Sequence, residues 1–357
     1  MLVSVVIRSK DESPRLRLTL ASLARQTLPA EIVVVDDGSA DDTPAIIAEA
    51  AKRLRLTAVR HAAPLGRSGA ANAGARAAQG DVLIFMDGDT LASPELVARH
   101  GAVHSKHACA AGRGETWHLR GTRFLRDPET GEPWPHNAAQ ISKLATAELS
   151  RMRVTLDQVT DDFSSIERRA EKGIYPGTGP RRLYELEMDA LTHHPDCTVL
   201  WAAASGSNFS VRRDAFLEVG GFDERLDINE HRELALKLCQ AGARMVPVEG
   251  ARSYHLTHRS FWRDPLKETA WERAFYRAHP IPAVKLLAVL WFSLSGQDRI
   301  PREAHIASLP ELEAAARGET GIDYDKVRRL IPGLPDWSET CVEPAAIDET
   351  ILNVSAS

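Results

Sequence analysis

The chain has 357 residues, enough for one large domain or two modest ones with a full buried core. Its 43% hydrophobic and 26% charged content is ordinary for a soluble globular protein, and a formal net charge of -5 leaves no basic excess for a dedicated nucleic-acid binder. Four widely spaced cysteines (Cys109, Cys197, Cys239, Cys341) fit neither a disulfide framework nor a CxxC zinc site, and they read as reduced thiols of a cytoplasmic protein.

In chain order, Leu2-Val3-Ser4-Val5-Val6-Ile7 reads as a buried strand, with no basic leader or cleavage pattern before it. A helix over 14–26 follows, with Leu16, Leu20 and Leu23 at helical spacing, Ser13 as its cap and Pro14 in its first turn. Glu31-Ile32-Val33-Val34-Val35 is a second strand, stopped by Asp36-Asp37-Gly38-Ser39. Helix 43–54, strand 56–60 and helix 69–78 lead to a strong strand over 81–86 that runs into Asp87-Gly88-Asp89. Strands and helices alternating in this way, with nearly continuous apolar strands, predict a parallel sheet covered on both faces.

Beyond Arg113 the texture becomes polar, with a long helical stretch expected over 138–172 and a Gly/Pro-rich segment over 173–180. Strands are expected at 199–203, 207–212 and 244–248, with a helix over 229–241 between the last two. The tail past 265 reads as mostly helical and becomes loop-rich near Gly333 and Pro335. Its most apolar run, 286–294, is too short for the ~20 residues of a membrane span and reads as a buried helix, with surface membrane contact as the lesser alternative.

Acidic clusters stand where parallel strands end, which is where open α/β sheets bind ligands. Asp87 and Asp89, two apart beyond a strand end, can share one hard cation and a diphosphate, the usual arrangement for Mg²⁺ or Mn²⁺. A solvated acidic turn is the plain alternative.

Three segments, Ser4-Val5-Val6-Ile7, Val33-Val34-Val35-Asp36-Asp37-Gly38-Ser39-Ala40-Asp41-Asp42-Thr43 and Gly80-Asp81-Val82-Leu83-Ile84-Phe85-Met86-Asp87-Gly88-Asp89, resemble the family 2 glycosyltransferases in order and spacing. Asn208-Phe209-Ser210-Val211-Arg212-Arg213, Val219-Gly220-Gly221-Phe222-Asp223-Glu224 and Glu230-His231-Arg232-Glu233-Leu234 continue the resemblance. It implies a GT-A-type α/β fold, a Rossmann-like and mostly parallel sheet flanked by helices. The implied parts are a nucleotide-sugar-binding half (1–112), an inserted acceptor-side segment (113–199), an acceptor and catalytic half (200–262) and a helical C-terminal extension (263–357).

The resemblance also implies roles. Asp36 and Asp37 would touch the nucleoside, Asp37 at the base edge, and Arg67 would sit near the base or phosphates. Asn72 and Gly74 fit either a close approach of this loop to the nucleotide or plain packing. Asp87, Gly88 and Asp89 would form the diphosphate and metal motif, with Asp89 the direct ligand of Mn²⁺ or Mg²⁺. His255 is the first choice for a further metal or diphosphate contact and His258 the second. The donor would be a nucleoside-diphosphate sugar, UDP-linked first, and the reaction inverting; the acceptor, whether saccharide, small molecule or peptide, and the oligomeric state are left open.

One departure stands out. Family members carry Glu-Asp where this chain has Glu230-His231, and the Asp serves there as base. Either residue can remove a proton, and Glu230 is weighed slightly ahead because carboxylates normally do this. The departure also motivates a second class, a non-catalytic nucleotide-sugar-binding protein of the same fold. A sugar-1-phosphate nucleotidyltransferase fits less well, because Arg8-Ser9-Lys10-Asp11-Glu12-Ser13 after the first strand has no glycine.

Overall fold

The computed structural model describes residues 1–172, 183–258, 268–295, 300–331 and 334. Four strands, Val3–Ser9 (β1), Glu31–Asp36 (β2), Leu56–Arg60 (β3) and Val82–Asp87 (β4), alternate with helices Ser13–Leu23 (α1), Thr43–Ala50 (α2) and Gly66–Ala77 (α3). They pair in parallel, β3-β2-β1-β4, so that Ser9 lies beside Asp36 and Arg8 beside Asp87 at one edge. Alternate residues of these strands enter two cores. Val6, Val33, Leu83 and Phe85 pack with Ala71 and Ala75 of α3, while Val5, Ile7, Val34 and Ile84 pack with Leu16 and Leu20 of α1. Both faces of β1, β2 and β4 are covered, which is why these three read as nearly unbroken apolar runs, whereas the edge strand β3 has no buried residue.

After β4 the sheet turns mixed. A short strand Thr90–Ala92 (β5), the helix Leu96–Lys106 (α4) and the strand Ala110–His118 (β6) follow. Two small strands, Leu125–Asp127 (β7) and Glu132–Pro133 (β8), pair with each other. The long helix expected over 138–172 is instead four short ones, Ala138–Ile141 (α5), Thr146–Met152 (α6), Leu156–Thr160 (α7) and Phe163–Glu167 (α8), ending in the two-residue strand Glu171–Lys172 (β9). A side-chain cap explains one break: Thr155 accepts the Gln158 N–H, and the Gln158 side chain returns a bond to the Thr155 N–H, a capping box. The Gly/Pro-rich stretch 173–180, the chain 296–299 after the apolar run, and Gly333 and Pro335 lie outside the described residues.

Leu183–His193 (α9), Phe209–Arg212 (β10), Arg213–Glu218 (α10), Glu230–Gln240 (α11) and Arg244–His255 (β11) complete the domain. The full order is β3-β2-β1-β4-β10-β6-β11-β5, with β10 antiparallel to both neighbours and β11 parallel to β6. β6 thus runs across position 113. The strand expected at 199–203 is a 3-10 helix, Leu200–Ala203, because Arg113 and Arg232 take the carbonyls of Ala203 and Ala202. Ser13 is not a side-chain cap: the first α1 turn closes on the Glu12 carbonyl, and the Ser13 N–H donates to Asp41. Helices Ala270–Ala278 (α12), Pro282–Leu294 (α13), Leu309–Ala316 (α14) and Tyr324–Arg329 (α15) follow. The apolar run 286–294 lies in α13 and is buried in the main core; no described helix is long and apolar enough to cross a membrane.

Candidate active site

The strand ends on the β1, β2 and β4 side open into a cleft of about 240 Å³. Asp37, Arg67, Asp87 and Asp89 line it, joined by Arg8 and Glu12. Asp36 does not line it: its Oδ1 accepts the Ser39 N–H, which shapes the turn, and Oδ2 lies 3.4 Å from Arg60. Asp37 is buried and accepts the backbone N–H groups of Leu65 and Gly66, 2.8 and 3.0 Å away, with His61 Nδ1 at 2.7 Å. Its carboxylate therefore closes the N-terminus of α3, where anions are favoured. Arg67 follows at the first turn of α3, exposed at the cleft mouth. Asn72 faces away and bonds Phe222 and Glu224, and a Cβ at Gly74 would strike Val6 of β1; both serve packing.

The β4 turn carries the denser chemistry. A side chain at Gly88 would meet Glu12 Oε1 and Ser9 Oγ, so glycine lets these two side chains lie against the turn. Asp89 is buried, with Oδ2 2.6 Å from His258 Nε2 and 3.1 Å from His255 Nε2. One ligand atom from each of the three lies within 4.8 Å of the others. Burial alone would raise the Asp89 carboxyl; His255 and His258 outweigh it and hold the group well below the usual range. Burial would lower His255, and Asp89 reverses that too. His118 Nδ1 stands 3.3 Å from His255 Nδ1, and burial, with His255 and Arg120, pushes His118 down to about 3. A neutral His118 can accept the His255 Nδ1–H, which aims His255 Nε2 at Asp89. Burial, Asp89 and Asp87 together drive Glu12 well above the ordinary carboxyl value.

Glu230 and His231 head α11, placed by Asn229 in the left-handed region (φ 66°). Neither lines the cleft directly; Arg8 connects them to it. Its Nε donates to Asp87 at 2.7 Å and its Nη1 to Glu230 at 2.9 Å, so one guanidinium spans both halves of the fold. Burial opposes ionisation of Glu230, but Arg8 prevails and holds the carboxyl far below its usual range. His231 is pushed down to about 4, chiefly by burial, with Arg232 and Arg8 adding to it against the pull of Glu230. Behind this pair, buried Glu187 of α9 receives Arg232 at 2.6 Å and Arg113 at 3.1 Å.

Sequence reasoning missed Arg8, Glu12 and the Arg113–Glu187–Arg232 network. Arg8 had a signal, a lone cation at the end of an otherwise apolar strand. Glu187 had none, since its partners come from β6 and α11.

A mixed α/β sheet with carboxylates and imidazoles gathered at its strand ends defines a GT-A-type protein. Residues 4–144 match the model of Glycosyl transferase family 2, and the chain belongs to that family. It is 30% identical over 231 residues to validoxylamine A glucosyltransferase of Streptomyces hygroscopicus subsp. jinggangensis (strain 5008), covering 62% of this chain. The matched region is 47% of that relative, so the chain spans about half of its length. The fold is similar to S. aureus TarS 1-349 (TM-score 0.52, 16% identity, 92% of this chain and 86% of that one). It is also similar to mannosyltransferase PcManGT from Pyrobaculum calidifontis, solved with GDP-Man and Mn2+ (TM-score 0.50, 15% identity, 92% and 72%).

Proposed function

We propose that the protein transfers a sugar from a nucleoside-diphosphate donor, UDP-linked first, to an acceptor in a metal-dependent, inverting displacement. The observation that carries this is the convergence at one sheet edge of Asp37, Asp87 and Asp89 with Glu230, joined through Arg8. A solved structure of similar fold holds a nucleotide sugar and Mn2+, which supports the donor class.

The residues present fit a divalent ion. Asp89, His255 and His258 offer one carboxylate and two imidazoles, a set that suits Mn²⁺ better than Mg²⁺, which prefers oxygen and water. Bound there, the ion supplies charge compensation to the diphosphate leaving group. Arg67 adds a cation at the cleft mouth, and Asp37 holds the loop that forms one wall. Glu230, ionised beside Arg8, is the base for the acceptor hydroxyl. The non-catalytic alternative drew on His231 in place of Asp; a carboxylate one residue earlier, at the same helix head, weakens that ground. Among the described residues Cys109, Cys197 and Cys239 are free thiols, as a cytoplasmic protein would have them.

A thermal-shift screen of UDP- and GDP-sugars with and without Mn²⁺ tests the donor assignment, because ligands of the folded state raise apparent stability. At least one nucleotide sugar should stabilise the protein more with Mn²⁺ than without. No shift with any of them would remove the proposal.

A further inference from the structure

The arm that carries His255 and His258 leaves β11 with its backbone tied down at each step. The His255 carbonyl accepts the Leu119 N–H at 2.9 Å, and the Leu256 N–H donates to the Asp89 carbonyl at 2.8 Å. The Leu256 carbonyl accepts Arg15 Nε at 3.3 Å. The Thr122 hydroxyl, also 2.8 Å from the Leu119 carbonyl, reaches the Thr257 carbonyl at 2.9 Å. Three consecutive carbonyls of the arm are thus met by α1 and by the turn 119–126 of the inserted segment.

Arg15 holds that turn as well. Its Nη1 donates to the Arg126 carbonyl at 2.9 Å, and its Nη2 to the carbonyls of Leu125 at 2.8 Å and Thr122 at 3.4 Å. Trp134 covers the guanidinium, whose Cζ lies 5.8 Å from the ring centroid. A planar fork of fixed donors can bind carbonyls of two separate segments at once, which the compact ammonium of a lysine cannot. Arg15 is only 3% exposed, and none of these bonds goes to a carboxylate, so the buried charge is costly to keep. Burial works against that charge, and Asp89, Glu12 and Asp127 offset it through space, Asp89 most.

We propose that Arg15 is a positioning residue for the metal site: with the turn 119–126 it fixes the backbone that aims His255 and His258 at Asp89. The inference rests on the metal-site reading above and adds what holds the two imidazoles in place. Arg15 stands outside the cleft lining and acts through Leu256, between the two histidines. Two imidazoles three residues apart meet one carboxylate oxygen, at 3.1 and 2.6 Å, only while the chain between them is held. This part of the inserted segment therefore serves the metal arm. A positive charge near a cation site would by itself weaken the metal, so charge and positioning predict opposite signs when Arg15 is replaced by a neutral residue.

Two measurements on the full chain test it. Mn²⁺ affinity, read from the electron paramagnetic resonance signal of free Mn²⁺, is compared for wild type, Arg15→Gln and Arg15→Lys. Gln removes the charge and Lys keeps it, while both lose the fork. Each variant should bind Mn²⁺ about tenfold more weakly. Affinity that is unchanged or raised in Arg15→Gln, or wild-type affinity in Arg15→Lys, overturns the inference. Hydrogen exchange without metal gives the second readout. The amides of residues 255–258 should exchange about tenfold faster in both variants, with those of β1 and β4 unchanged. Equal exchange in the arm overturns the inference. If the Arg15 variants do not fold, Thr122→Val removes only the hydroxyl that reaches Thr257. It should still weaken Mn²⁺ binding about threefold and speed exchange in the arm, and no change in either contradicts the proposal. If the wild type binds no Mn²⁺, the metal reading fails separately and the exchange alone decides whether Arg15 holds the arm.

Discussion

Asp37 and Asp89 look alike in the sequence, each an aspartate just past the end of a parallel strand, but the fold uses them differently. Asp37 has backbone N–H groups on both oxygens and anchors the head of α3. Asp89 turns Oδ2 to two imidazoles and receives the Thr90 hydroxyl on Oδ1. The contrast teaches that strand-end position brings a carboxylate to the cleft, while the elements arriving from elsewhere decide what it does there. For Asp37 that element is the loop before α3; for Asp89 it is the end of β11 and the residues just beyond it.

The largest expected effect follows from Asp89. Asp89→Ala should lower Mn²⁺-dependent turnover by about 100- to 1000-fold, with Mn²⁺ binding by calorimetry lost in parallel. Unchanged Mn²⁺ binding would make Asp89 no different in kind from Asp37.

The second effect concerns how the two halves of the sheet are held. β1, β2 and β4 are joined to their helices by apolar contacts, whereas β10 is tied to α4 through His100 and His104. The Asn208 amide gives its N–H to other groups, so its Oδ1 accepts from His100 Nε2–H; His100 Nδ1 then accepts the Ser210 hydroxyl, 2.7 Å away. Burial pushes both histidines down to about 4. Their folded pKa lies below the unfolded value of about 6.5, so the unfolded chain binds more protons and stability falls with pH between those limits. The loss should reach on the order of 3 kcal/mol for His100 near pH 4, seen as a falling urea midpoint. His100→Asn should flatten that dependence; an unchanged slope would mean His100 is not the group responsible.

Gly88→Ala should cost about 2 kcal/mol in urea unfolding, since its methyl would meet Glu12 and Ser9. Near-wild-type stability would show that α1 yields easily at this turn. The smallest effect is expected at Asp37. Asp37→Ala should lose about 1 kcal/mol by releasing the α3 N-terminus, and should weaken metal-free UDP binding as well. Weakened UDP binding with full stability would make Asp37 a pure ligand contact and sharpen its likeness to Asp89.

Legibility in the sequence followed the same division. β1, β2 and β4 were plain because both faces are buried and their apolar runs end at sharp polar turns. β6 was hidden, since Ala110–His118 carries Arg113, Glu115 and two glycines whose reasons lie in distant partners. The run Leu200–Ala203 looked like a strand because composition says nothing of the two arginines that take its carbonyls. At the site, Asp87 and Asp89 were visible by type and spacing, and Glu230 and His255 through the resemblance to the family. The closeness of His258 to Asp89 and the bridge through Arg8 depend on long-range packing that no local pattern carries.

Metal-dependent sugar transfer from a nucleotide donor is tested most directly by nucleoside-diphosphate release. UDP and GDP would be measured over a panel of UDP- and GDP-sugars, after EDTA treatment and again after Mn²⁺ is restored, for wild type and Asp89→Asn. The expected result is release by the wild type only when Mn²⁺ is present, and none by Asp89→Asn. Undiminished release in EDTA, equal in the two proteins, would contradict the assignment of Asp89, His255 and His258.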